Sequence, residues 1–115
     1  MTAMFISFRE KEEKIQSARK QAIYITDVLK MQIEYFKEKE LKLPFDAESE
    51  LAQAEGLIKQ FDEIYRDKSG TPRERHERKT MIVGFEDIFT DLNEKIGELI
   101  REMHSSFETQ CHEKA

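Results

Sequence analysis

Turn-forming residues are scarce in this chain of 115 residues, which has two prolines and four glycines. A sheet protein needs frequent turns, so this scarcity argues against one. There is a single cysteine, Cys111, and so no internal disulfide; that points to a reducing compartment. No apolar run approaches the roughly 20 residues of a membrane-spanning helix. The apolar stretch Met1 to Phe8 has no basic start and stops at Arg9, which is too short for a signal peptide. The expected location is cytoplasmic, with no membrane partner.

Charge and apolar side chains fill the space that turns leave. Charged residues make up 37% of the chain and hydrophobic ones 38%, a balance that suits long helices with thin cores and charged outer faces. Eight phenylalanines with many Ile and Leu give enough apolar surface to fold. The net charge of -5 disfavours nonspecific nucleic-acid binding.

The dominant stretch is Thr71 to Phe107. Thr71-Pro72-Arg73-Glu74 has the form of a capping box with proline at the first helical position. Beyond it, Ile82, Phe85, Phe89, Leu92, Ile96, Leu99 and Met103 recur at alternating steps of three and four, the seam of a coiled-coil-like helix. Upstream, Arg9 to Leu41 carries two stripes. Ile15, Ala18, Ala22, Ile25, Leu29 and Phe36 form the first; Tyr24, Val28, Met31 and Tyr35 form the second. So wide an apolar face predicts contact with more than one neighbouring helix. Leu43-Pro44 ends this segment and Asp46 is a candidate N-cap for the next. There Leu51, Ala54, Ile58, Phe61 and Tyr65 continue the pattern, and Gly70 is the expected left-handed C-cap. Gly56 is read as a point where a neighbour comes close.

The predicted fold is therefore all-α: an antiparallel long-helix bundle in one domain, residues 1–115. It has three helices, up-down-up, at about 9–42, 46–68 and 72–108. With tight connections the third helix would start level with about residue 20 of the first and overshoot its top by roughly 15 residues. Phe5, Ile6, Phe8 and Ile15 at one end, and Leu99, Ile100, Met103 and Phe107 at the other, would then lack partners. A homodimer would cover them. The alternative is a third helix broken near Val83-Gly84 and folded back into a four-helix monomer.

No enzyme signature stands out. Glycine-rich phosphate loops, nucleophile elbows and paired-cysteine metal patterns are missing. Glu-x-x-His, used by di-metal bundles, does not occur, nor does the Glu-x-x-Asp of helical nucleotide pyrophosphohydrolases. His104, Glu108, Cys111 and His112 share a helical face, but one helix makes an open site and surface scatter is the better account. No metal or other cofactor is expected. Arg73, Arg75, His76, Arg78 and Lys79 put cations in the first turns of a helix, against its dipole. A phosphate or carboxylate site would explain them, as would nucleic-acid binding through this basic end, or a solvated face paired with Glu74 and Glu77.

His76-Glu77-Arg78-Lys79-Thr80 also resembles the phospho-acceptor box of histidine kinases. Arg78 stands at that family's apolar position and Met81 at its proline. The resemblance implies a phosphotransfer or phosphatase module in which His76 takes phosphate and Glu77 and Thr80 assist. The expected function is instead a non-catalytic interaction or assembly module, such as an adaptor, chaperone or regulatory subunit. Its candidate interface is Phe5, Ile6, Phe8, Leu99, Met103 and Phe107.

Overall fold

The computed structural model describes residues 8–114. Among these it is all-helical: α1 (Phe8–Glu38), α2 (Ala47–Arg66) and α3 (Pro72–Lys114). The Cα atoms span 64 × 32 × 16 Å. The 43 residues of α3, at about 1.5 Å each, run the full length of the long axis. Phe5 and Ile6 lie outside the described residues. α3 is unbroken at Val83-Gly84, so the folded-back alternative does not occur.

The caps follow from local chemistry. Thr71 Oγ1 accepts from the Glu74 amide at 3.2 Å, and Glu74 Oε1 accepts from the Thr71 amide at 3.0 Å. Two free amides are thereby satisfied reciprocally. Asp46 Oδ1 accepts from the Ser49 amide at 3.1 Å and starts α2. α1 ends at Glu38, four residues short of the expected 42, because a different device intervenes before Pro44. Leu41 N donates to Phe36 O at 2.8 Å and Glu40 N to Lys37 O at 3.2 Å. This is the paired bonding of a Schellman cap, and Glu40 takes the left-handed position at φ 56°. α2 likewise stops early, at Arg66, with Asp67 extended. Gly70, at φ 94°, turns the chain into α3 rather than capping α2.

Contacts between helices fix the register. Along α1 and α3 they rise together: the Lys79 ammonium stands 5.3 Å from the centre of the Phe8 ring, Lys11 is 3.7 Å from Glu86, and Asn93 Nδ2 donates to Ala18 O at 3.2 Å. Farther up, the Phe36 and Phe107 rings lie 6.3 Å apart, and Gln110 Nε2 donates to Lys42 O at 2.7 Å. Along α2 the order reverses. Glu48 meets Lys37, Asp62 meets Arg19, and the Tyr65 hydroxyl donates to Glu12.

This register corrects the expected overhangs. Lys79 lies level with Phe8 and Gln110 with Lys42, so α1 runs beside the middle of the longer α3 and does not overhang its lower end. The expectation failed because the α2–α3 connection is not tight: it leaves α2 through the extended Asp67 and carries the chain past the end of α2 before α3 begins. An extended residue advances about 3.3 Å against 1.5 Å in a helix. The segments 39–46 and 67–71 therefore let the short α2 bridge two much longer neighbours.

The core lies where the three helices meet. Ile82, Phe85, Phe89, Leu92, Ile96 and Met103 of the α3 seam are buried; Leu99 is partly so. Phe61 packs edge-on against Phe85 and Phe89, with centroids 5.2 Å away in each case, and stacks on Tyr65 at 5.5 Å. Edge-to-face pairs of this kind are favoured by the ring quadrupole. From α1, Ile15, Ala22, Leu29, Ile33 and Phe36 enter the core. Gly56 faces open space, so no neighbour comes close there.

Candidate functional site

The second stripe of α1 is the feature the fold leaves bare. Tyr24 is 65% exposed, Met31 67% and Tyr35 41%, while Val28 is half-buried. The helix turns its first stripe to α2 and α3 at once, and the second has no helix over it. Above this stripe α1 and α3 enclose an open groove of about 470 Å³, lined by Val28, Met31, Gln32, Tyr35, Phe36, Met103, His104 and Phe107. Tyr35 meets Phe107 at a centroid distance of 5.6 Å, which forms one wall. The Gln32 side-chain oxygen is buried without a protein hydrogen-bond partner. His104, at the rim, lies 3.2 Å from Glu108.

The expected interface residues fall differently from their expected places. Met103 is fully buried, at the floor of the groove. Phe107 and Leu99 are partly buried against the core, as is Phe8 at the other end. Near the upper end of α3, Phe107 meets Phe36, and Gln110 exchanges two hydrogen bonds with Lys42 of the α1–α2 connection. Of the expected residues, Phe107 and Met103 line the groove. The pattern Tyr24, Val28, Met31, Tyr35 was visible in the sequence, but its width suggested a second internal neighbour.

The basic start of α3 is tied into the α2–α3 connection. Arg75 Nη1 donates to Gly70 O at 2.6 Å, and Arg78 donates to Ser69 O and stands 3.6 Å from Asp67. Arg73 pairs with Glu77 at 3.4 Å, and Lys79 covers the Phe8 ring. Cations that oppose the helix dipole thus hold the carbonyls of the incoming chain. Hydrogen bonds from Ser69 hold the Asp67 carboxyl below its ordinary range, and those from Thr71 do the same for Glu74. His76 and Thr80 are exposed, and the Thr80 hydroxyl donates back to His76 O at 3.2 Å. Glu77 is turned to Arg73, so the three residues of the phospho-acceptor resemblance share a helix surface without converging on one point.

On the α1–α2 side, Arg19 grips Asp62 with two hydrogen bonds, 2.7 and 2.8 Å. The bond to Asp62 raises the Arg19 pKa, against a smaller opposing effect of burial. Glu12 accepts from Tyr65 and thereby pushes the Tyr65 phenol up. Both groups sit between helices and act as braces. Among the described residues no group of three or more His, Cys, Asp or Glu side chains is placed to hold a metal ion, and no helix is long and apolar enough to cross a membrane. Compared with protein-family models, curated proteins and solved structures, the chain matches none.

Proposed function

We propose that the chain is a helical interaction or assembly module, an up-down-up layer of three helices whose free face is completed by another protein surface. The observation that carries this is the bare stripe Tyr24, Met31 and Tyr35 beside an open apolar groove. A helix face this apolar is stable in water once it is covered. A helix laid along the groove would cover it, in the manner of helix-in-groove recognition. A homodimer is the simplest form of such an assembly. The exposed Cys111 suits a reducing compartment such as the cytoplasm.

A photoreactive side chain placed at Met31 tests the proposal in the native host. Position 31 should give a discrete protein adduct, while the same group at the exposed Glu63 on α2 gives none. Equal, diffuse labelling at both positions would remove the proposal. Either a second copy or a different protein in the adduct supports it.

A further inference from the structure

We propose, resting on that reading, that the occupant of the bare face is a second copy of this chain, packed antiparallel along α1 about a two-fold axis level with the Leu29–Lys30 peptide. The stripe reads aromatic, aliphatic, aliphatic, aromatic, at steps of four, three and four. It therefore has the same form from either direction. An axis at that level sets Tyr24 opposite the partner subunit's Tyr35 and Val28 opposite the partner subunit's Met31, both at once. This is the pairing of alternate seam positions that antiparallel helices require, and an isologous contact demands such self-complementarity.

Charge supports the same register at the ends. Lys20 and Glu38 flank the stripe on one side and are both exposed. The axis brings each Lys20 to the partner subunit's Glu38, which closes both ends of the contact with opposite charges.

Size sets the expected strength. From Lys20 to Glu38 is roughly 27 Å, and α1 is about 10 to 12 Å wide. The footprint is then roughly 300 Å² per copy, below the size of a standard specific interface. The dimer is accordingly a concentration-dependent one. One element opposes it: Asp27 falls near the partner subunit's Glu34, and like charges across an interface repel.

Sedimentation equilibrium from 1 to 500 µM, roughly the range for so small a contact, should show monomer passing to dimer. Met31→Glu should abolish the dimer with an unchanged helical circular dichroism spectrum. Asp27→Asn should tighten it several-fold. In a Cys111→Ser background, Tyr24→Cys and Tyr35→Cys together should form an interchain disulfide on oxidation. Neither alone should, because identical positions lie 11 residues apart along the axis, roughly 16 Å. A disulfide from Tyr24→Cys alone would mean parallel packing and overturn the proposal. So would a monomer at every concentration. In that case a position-31 adduct with another protein would leave the interaction module standing, and no adduct would remove both.

Discussion

The two long faces of the α1–α3 pair are built from the same kind of residue and have different fates. On one, α2 lays Phe61 against Phe85 and Phe89, and all three rings are buried. On the other, Tyr24, Met31 and Tyr35 repeat at helical spacing and stay largely exposed. The covered face also carries polar braces, Arg19 to Asp62 and Tyr65 to Glu12, that hold α2 in place. Buried oxygens without a protein hydrogen-bond partner occur on both sides: Gln32 beside the groove, and Thr26, Glu86 and Asn93 within the bundle. A buried acceptor left unpaired costs about 1 to 3 kcal/mol. Apolar spacing alone therefore marks a face for burial but does not say what buries it.

The sharpest way to break the comparison is to cut the covered face at its centre. Phe89 is fully buried and touches both Phe61 and Phe85. Phe89→Ala should lower unfolding free energy by about 3 to 5 kcal/mol, the range for truncated core aromatics. Urea denaturation followed by circular dichroism measures this. A loss below 1 kcal/mol would mean that this face is not where the fold is held together.

How far these faces could be seen in advance depends on the interaction concerned. The α3 seam from Ile82 to Met103 was legible because helical periodicity is a local property of the chain. So was the capping box, whose partners lie three residues apart. The register of α3 on α1 was not legible. It depends on how far the connections 39–46 and 67–71 travel, and that is set by backbone angles at a few residues, Glu40, Asp67 and Gly70 among them. An error there displaced Phe8, Leu99, Met103 and Phe107 from the overhanging ends where they were expected. For the basic cluster, the residue types were evident, but their use as braces for Ser69 and Gly70 required the loop to be in place.

Glu40 offers a smaller test of the covered side, because the turn at Glu40 is where the chain leaves α1 to bring α2 back across it. A left-handed conformation costs a residue with a Cβ about 1 to 2 kcal/mol, and glycine does not pay it. Glycine also loses more freedom on folding, by about 0.4 to 1 kcal/mol. The difference favours Glu40→Gly by roughly 0.5 to 1 kcal/mol. Thermal unfolding should show a modest rise in midpoint. A fall would mean that the Glu40 side chain contributes more than its strained backbone costs.

The bare face yields the smallest expected effect on folding, and that smallness is the point. Met31 is 67% exposed, so Met31→Ser removes little contact inside the monomer. Helix propensity falls slightly, since serine forms helix less readily than methionine. The net change in unfolding free energy at low protein concentration should stay within about 0.5 kcal/mol, as for other surface positions. At high concentration the same substitution should lower the unfolding midpoint relative to the wild type, because any surface that binds only the folded chain adds stability by mass action. The quantity to measure is thus the gap between the two proteins as concentration rises. A gap that widens locates a stabilising contact at Met31. A constant gap would show that the bare face contributes nothing to assembly, and that the difference between the two faces has no functional meaning.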